Sequence, residues 1–336
     1  MTATAHAVWF TGPRRMEMRE EALRPLQEDE VLVATLYSLV SPGTEMSIYR
    51  GEASSPEEVQ VPMGAGVFPF PLKYGYQVVG RVEAAGPAAA HAAGDIVFAN
   101  HPHQDQFTIP SELTFAVPAE LDAKAATFAN LLTVALNGLL DVPVRIGDCV
   151  AVSGLGIVGT FAAHLARRTA DKIVLIDPVS QRREFARSVA ADAVVDPSDA
   201  HEAINELTQG RGVDIFIEAS GAAPALQNAI NETGVEGTIV VLSYYANRKV
   251  ALSLAPEFHA RRQRIVSSMV AMVGSGLQPR WSRQRRFDVA TRALAGIDTS
   301  QMITHEFPFR EARAAYELID QHPADVLGVI LDYARA

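Results

Sequence analysis

The chain has 336 residues, a length that exceeds one small domain and suits two domains of ordinary size. Its composition of 48% hydrophobic and 20% charged residues excludes a disordered or collagen-like protein. With 29 Lys and Arg against 39 Asp and Glu, the net charge of −10 disfavours nucleic acid and anionic lipid surfaces as partners.

The first residues and the single cysteine indicate in which cellular compartment we expect the protein. The amino terminus lacks a basic segment followed by a long apolar core, and no apolar run approaches the ~18 residues that span a bilayer, so we expect a cytoplasmic protein without membrane association. Cys149 alone cannot form an internal disulfide or a thiolate metal cluster. Its apolar neighbours favour core packing over a reactive thiol.

Short β-like runs separated by Pro and Gly fill the first third of the chain, at residues 30–36, 77–83 and 95–99. Such runs predict a compact β-rich domain. From Cys149 onward, apolar strands alternate with Ala-rich helices, a pattern typical of a parallel sheet with helices on both faces. The predicted strands are 149–153, 172–176, 193–195, 215–218, 238–242 and 264–268, and the predicted helices are 156–168, 180–189, 200–208 and 224–230.

Six strands in this arrangement predict a Rossmann doubly wound parallel sheet, so the fold class is α/β. After residue 276 the pattern changes again, to predicted helices at 281–294 and 310–319 and a last strand at 328–331. This tail is too short to fold alone, and we expect it to complete the first domain. The predicted domains are therefore 1–125 with 276–336, and 126–275.

A glycine-rich loop gives the strongest functional signal, because it lies between a predicted strand and a predicted helix. Such a loop cradles a dinucleotide pyrophosphate at the helix N-terminus, and a carboxylate about 20 residues further on binds the adenosine ribose. Asp177 lies 23 residues after Gly154 and favours NAD(H) over NADP(H). The predicted cofactor residues are Gly154, Leu155, Gly156, Ile157, Val158, Gly159, Asp177, Pro178, Arg182 and Ser220.

Several further segments resemble the medium-chain dehydrogenase/reductase superfamily over most of the chain. The resemblance implies a GroES-like catalytic domain beside the Rossmann domain, and a homodimer or homotetramer. The segments are Pro42-Gly43-Thr44-Glu45, Gly75-Tyr76-Gln77, Gly94-Asp95, the glycine loop, residues 212–221 and residues 303–308.

Within that resemblance, the positions of the family's three catalytic zinc ligands hold Pro42, Tyr76 and Asn130. These side chains do not form a tight tetrahedral zinc site, so we expect no zinc. The segment from Ser41 to Glu45 resembles most closely the zinc-less branch that includes bacteriochlorophyllide a dehydrogenase.

Without a metal, hydrogen-bond donors must stabilise the reacting oxygen. The candidate catalytic residues are Tyr76 as a donor, Thr44 as a proton relay, Glu45 as a positioner or base, and Asn130 as a positioner. Two structural alternatives stay open: Tyr76 fills space left by the metal, and Glu45 anchors a turn.

Three groups of basic residues have both a functional and a structural interpretation. His101, with His103 two residues later, is a candidate proton shuttle or metal ligand, or else an ordinary loop residue. Lys73 is a further candidate donor. Arg182 and Arg183 either contact the cofactor or form a solvated helix face. The cluster of Arg280, Arg283 and Arg286 either binds an anionic substrate or lies at a subunit or domain contact.

The sequence therefore predicts a zinc-independent, NAD(H)-dependent oxidoreductase that interconverts a secondary alcohol, of a polyol, cyclitol or hydroxy compound, and a ketone. Two alternatives stay open. One is an NAD(P)H-dependent enone or quinone reductase, which the resemblance to zinc-less relatives suggests. The other is a catalytically silent NAD(H)-binding redox sensor, since a fold can outlive its chemistry.

Overall fold

The computed structural model describes residues 4–53 and 63–334. It divides into two compact units, Met1–Asn130 with Thr291–Ala336, and Leu131–Ala290. The boundaries predicted from sequence lay after residues 125 and 275, so the second boundary comes 290 − 275 = 15 residues later in the structure. The two boundaries fall inside helices Ala129–Asp141 and Arg283–Leu294, which belong partly to each unit by contacts.

The first unit contains two sheets, whose strands are numbered here in chain order. A four-stranded sheet has the order β2-β1-β5-β4, and a seven-stranded sheet has the order β16-β17-β3-β6-β7-β9 with β8 beside β3. Their bounds are β1 Thr4–Gly12, β2 Arg15–Ala22, β3 Glu30–Val40, β4 Ala65–Gly66, β5 Leu72–Lys73, β6 Val78–Ala85, β7 Ile96–Ala99, β8 Gln106–Pro110, β9 Thr114–Ala116, β16 Ile303–Pro308 and β17 Gly328–Asp332.

Helices of the first unit pack around an aromatic core. They are α1 Thr44–Arg50, α2 Ala123–Ala126 and α10 Ala312–Gln321, with 3-10 turns at Ser111–Leu113, Ser300–Met302 and Phe309–Glu311. Tyr316 of α10 is fully buried, with its ring edge-on to Phe10 and tilted against Tyr49 of α1. These contacts fix α1 and α10 beside each other, because aromatic side chains bury large apolar areas.

The second unit is a parallel six-stranded sheet in the order β12-β11-β10-β13-β14-β15. Numbered within the unit, this order is 3-2-1-4-5-6, that of a dinucleotide-binding Rossmann sheet. The bounds are β10 Cys149–Ser153, β11 Lys172–Ile176, β12 Ala193–Val195, β13 Val213–Glu218, β14 Thr233–Val241 and β15 Arg264–Ser267. The predicted α/β fold class is confirmed.

Helices connect or flank these parallel strands. They are α3 Ala129–Asp141, α4 Ile157–Ala166, α5 Ser180–Ala186, α6 Ala200–Thr208, α7 Ala223–Glu232, α8 Glu257–Ala260 and α9 Arg283–Leu294, with a 3-10 turn at Arg187–Val189. Cys149 is buried at the start of β10, and burial raises the pKa of its thiol to about 11. The thiol therefore packs in the core, as predicted. Over residues 4–53 and 63–334, no helix is long and apolar enough to cross a membrane.

Candidate active site

The glycine turn joins β10 to α4 and depends on close backbone approaches. Gly154 has φ +91°, and a Cβ there would lie 2.5 Å from the backbone nitrogen of Ser220. A Cβ on Gly159 would overlap the carbonyl oxygen of Gly154. Gly156 differs, because a Cβ there would meet nothing within 4 Å. The first and third glycines therefore shape the turn, and the second keeps open the space in front of the α4 N-terminus.

Asp177 braces this turn from the end of β11. It is 2% exposed, and its Oδ2 accepts a hydrogen bond of 2.7 Å from the backbone N–H of Leu155. Its Oδ1 accepts a 2.8 Å bond from the N–H of Val179. A carboxylate oxygen accepts more than one hydrogen bond, so both oxygens retain capacity for a ribose hydroxyl. Pro178, the residue between, is exposed.

The two arginines of α5 are half-buried. Arg183 donates from Nη1 to the carbonyl oxygen of Asp177 at 2.6 Å and to Asp196 Oδ2 at 3.2 Å. A solvated helix face therefore does not describe Arg183, which instead ties α5 to the end of β11.

An open space, a helix N-terminus and a braced carboxylate together fit a nicotinamide dinucleotide. Unpaired N–H groups at a helix N-terminus attract a pyrophosphate, and α4 spans Ile157–Ala166 behind Gly156. Ile157 and Val158 begin this helix, and the backbone of Leu155 is already held by Asp177. The second unit thus carries the parts of the predicted cofactor site.

In the first unit, Tyr76 lies beside three hydroxyl or carboxylate side chains. Its hydroxyl donates a 2.6 Å hydrogen bond to Ser41 Oγ. Burial, and next the charge of Glu45, raises the pKa of Tyr76, while hydrogen bonds with Ser41 and Thr44 partly offset the rise. The hydroxyl therefore stays protonated over the physiological range and serves as a neutral donor. The ring also packs against the aromatic core, so Tyr76 fills space as well.

Glu45 is fully buried in α1 and accepts two hydrogen bonds at the same oxygen. Its Oε2 accepts from the Tyr316 hydroxyl at 2.8 Å and is 2.9 Å from His103 Nε2. Its Oε1 has no hydrogen-bond partner among the described residues. The carboxylate therefore links α1 to α10 and to residue 103 through Oε2. Its Oε1 takes no part in these links.

His103 continues this network on its other side. Its Nδ1 is 2.7 Å from Ser38 Oγ, which is 2.9 Å from the hydroxyl of Tyr333. A neutral imidazole protonated at Nε2 satisfies every one of these contacts, with Ser38 donating to Nδ1. Gly75 makes room for the ring: its φ is +142°, and a Cβ there would lie 3.0 Å from His103 Cδ2.

The remaining candidates lie outside this network. His101 is 1% exposed and stacked on Phe107 with 3.6 Å between ring centroids, and burial lowers its pKa to about 3. Lys73 is buried, and its Nζ donates to Glu21 at 2.7 Å and Gln104 at 3.0 Å. Asn130 is half-buried at the second position of α3. Both histidines are thus buried, His103 is the one that contacts Glu45, and the catalytic role of His101 stays a prediction.

Comparisons with known proteins agree with this architecture. Residues 157–284 match a family model described as zinc-binding dehydrogenase. D-guloside 3-dehydrogenase of Escherichia coli (strain K12) is 28% identical and is matched over 93% of this chain and 95% of its own. The chain is therefore similar to dehydrogenases of the zinc-binding type.

Two solved dehydrogenase structures are similar in fold over nearly the full length of the chain. L-idonate 5-dehydrogenase of Escherichia coli (strain K-12, substrain MG1655) has a TM-score of 0.82 at 16% identity, covering 99% of both chains. A protein of Sinorhizobium meliloti 1021 described as a zinc-binding dehydrogenase and solved with NADP has a TM-score of 0.80 at 20% identity, covering 98% of this chain and 99% of its own. Sequence identities this low show that the fold is similar, and they do not assign a cofactor to this chain.

The catalytic zinc that the resemblance to zinc-binding dehydrogenases implies does not fit the residues present. Pro42 has no side-chain donor and is exposed, and the Tyr76 hydroxyl is engaged with Ser41. Zinc requires thiolate, imidazole or carboxylate ligands in tetrahedral array. Within residues 4–53 and 63–334, no group of three or more His, Cys, Asp or Glu is placed to hold a metal ion.

The arginine cluster divides between surface and interior. Arg280 and Arg283 are exposed, whereas Arg286 is 5% exposed. Arg286 Nη1 donates to Asn137 Oδ1 at 2.9 Å and to the carbonyl of Val270 at 2.5 Å. The guanidinium of Arg286 is therefore buried against its own unit, and binding of an anionic substrate by the cluster stays a prediction.

The sequence did not single out Glu218, although this residue lies within residues 212–221, one of the segments that carry the family resemblance. Glu218 ends β13, is fully buried, and accepts hydrogen bonds from both the backbone and the hydroxyl of Ser220. Ser220, predicted to contact the cofactor, is exposed. An isolated Glu at the end of an apolar strand gives no sequence signal beyond its position, and only the structure shows its partners.

Proposed function

We propose that this protein is an NAD(H)-dependent oxidoreductase that interconverts a secondary alcohol and a ketone without zinc. The glycine turn supports this most directly, because its open second glycine and braced carboxylate suit a dinucleotide. Hydride transfer at the nicotinamide is the cofactor's own chemistry. The protein must bind the substrate, orient its carbon and stabilise its oxygen.

The substrate class we propose is a polyhydroxylated compound related to sugars. Two relatives carry names of this class, D-guloside 3-dehydrogenase and L-idonate 5-dehydrogenase. The first of them matches 93% of this chain.

Tyr76 is assigned the role of hydrogen-bond donor to the substrate oxygen. Because its pKa is raised, the phenol remains protonated and neutral. When substrate binds, Ser41 donates to the phenol oxygen, and the Tyr76 hydroxyl turns its proton from Ser41 to the substrate oxygen, where it stabilises developing negative charge. Thr44, half-buried and within hydrogen-bonding reach of Tyr76, is assigned proton relay. Neither role calls for a metal ion.

Replacing Tyr76 with Phe tests this role. We expect the rate of hydride transfer in a single turnover to fall about 100-fold, the loss typical when one donor to a developing oxyanion is removed. Cofactor affinity should not change. Tyr74→Phe is the matched control, since Tyr74 is buried against Tyr76 with ring centroids 5.9 Å apart. An unchanged transfer rate in Tyr76→Phe would leave Tyr76 with a packing role only.

The proposed activity itself is tested with a panel of polyols, cyclitols and sugar derivatives. We expect NADH formation to persist after treatment with a chelator, and zinc to be substoichiometric by mass spectrometry. Since Asp177 repels a 2′-phosphate, kcat/KM should favour NAD⁺ over NADP⁺ by about tenfold or more. Reduction of enones with NADPH would instead favour a quinone-reductase activity, and NADH binding without turnover would favour a redox sensor.

A further inference from the structure

Glu218 organises the carboxyl edge of the Rossmann sheet. Its Oε1 accepts hydrogen bonds from the Ser220 hydroxyl, from the Ser220 N–H at 2.8 Å and from the Gly221 N–H at 3.0 Å. Its Oε2 accepts from the hydroxyl of Ser243, and from that of Tyr245 at 2.8 Å. A fully buried carboxylate with five donors is satisfied at every lone pair.

These five bonds join two loops that follow neighbouring strands. Ser220 and Gly221 follow β13, while Ser243 and Tyr245 follow β14. The first loop also abuts the glycine turn, because a Cβ on Gly154 would lie 2.5 Å from the Ser220 backbone. The Glu218 carboxylate thus fixes the positions of three loops relative to one another. These loops lie at the carboxyl edge of the sheet, where Rossmann sheets bind their ligands.

The strand order indicates which half of a dinucleotide lies over these loops. The order reverses between β10 and β13, and a dinucleotide crosses the sheet at that reversal. Asp177, at the end of β11, marks the adenosine side. The remaining half, nicotinamide and its ribose, therefore faces the loops after β13 and β14, which Glu218 holds.

We propose that Glu218 is a positioning residue for the nicotinamide half of the cofactor, acting through the loops of Ser220 and Ser243. This inference rests on the proposed function, since it requires a nicotinamide dinucleotide. Glu218 itself is fully buried and does not touch the cofactor. Its effect is to keep the two loops in one arrangement, so that binding carries no cost of ordering them.

Binding measurements with whole and truncated ligands test the proposal without turnover. In Glu218→Gln, the amide nitrogen no longer accepts from the hydroxyls of Ser243 and Tyr245, and the loops loosen. We expect the Kd for NADH, followed by its fluorescence, to rise about tenfold. The Kd for ADP-ribose, which lacks nicotinamide, should change less than about twofold by calorimetry, since its contacts lie on the Asp177 side.

Two further variants distinguish the loss of the Glu218 hydrogen bonds from a general effect of replacing Glu with Gln. Tyr245→Phe removes one donor to Glu218 without altering charge, and it should reproduce the selective loss of NADH affinity to a smaller degree. Glu236→Gln makes the same chemical change at an exposed Glu paired with Arg262 and Arg264, and it should leave both ligands unaffected.

Equal weakening of NADH and ADP-ribose in a stably folded Tyr245→Phe would overturn the inference, and so would unchanged NADH affinity in both Glu218→Gln and Tyr245→Phe. A wild-type protein that binds neither NADH nor ADP-ribose would overturn the proposed function instead, and the inference with it.

Discussion

Replacing Gly156 with Ala is expected to weaken NADH binding about 100-fold while leaving the unliganded fold intact. A Cβ at this position meets nothing within 4 Å, and its φ of −70° suits any residue, so the apo protein accommodates the methyl group. The same methyl group occupies the space that a pyrophosphate needs in front of the α4 N-terminus. Fluorescence titration with NADH and the melting temperature of the apo protein measure the two effects separately.

The matched control is Gly159→Ala, three residues along the same turn. Here a Cβ would overlap the Gly154 carbonyl oxygen, so we expect a lower melting temperature as well as weaker binding, with a destabilisation of about 1–3 kcal/mol from overpacking. If Gly156→Ala bound NADH as wild type does, the space before α4 would not hold the pyrophosphate, and the proposed cofactor site would be wrong.

The sequence predicted the Rossmann unit well because its strands are short, apolar and separated by helices. β10, β11 and β12 match the prediction at both ends. β14 begins at Thr233, five residues before the predicted start at 238, since Gly234 and Gly237 interrupt its apolar run. In the first unit, the hairpin of β1 and β2 was missed, because β2 is rich in charged residues and none of its residues is fully buried.

The sequence located one part of the candidate site and missed the other. Local motifs located the glycine turn and Asp177, since those residues act through backbone geometry at fixed spacing. Glu45 and His103, in contrast, meet across 58 positions of chain, and Tyr316 joins them from a further 271 positions beyond Glu45. Such pairing depends on tertiary packing, so spacing alone could not distinguish His103 from His101.

His103→Ala is expected to lower stability by about 2–4 kcal/mol, because it removes one of the two hydrogen bonds to a fully buried carboxylate and leaves a cavity where the imidazole packed. Tyr316 would remain the one donor that the described residues supply to Glu45. Chemical denaturation, with the transition of the first unit followed by Trp9 fluorescence in a Trp281→Phe background, measures the change.

A double-mutant cycle with Glu45→Gln separates the cost of the lost hydrogen bond from the loss of packing. In Glu45→Gln the buried group is neutral, so adding His103→Ala should cost much less than it does in the wild type. His101→Ala is the matched control: its ring is equally buried and stacks on Phe107, but it makes no contact with Glu45, and its cost should be the same in both backgrounds. Equal costs for His103→Ala in the two backgrounds would mean that Glu45 does not depend on His103 for compensation. The imidazole would then stabilise the first unit by packing alone, and the network from Tyr316 to Tyr333 would carry no electrostatic coupling at its centre.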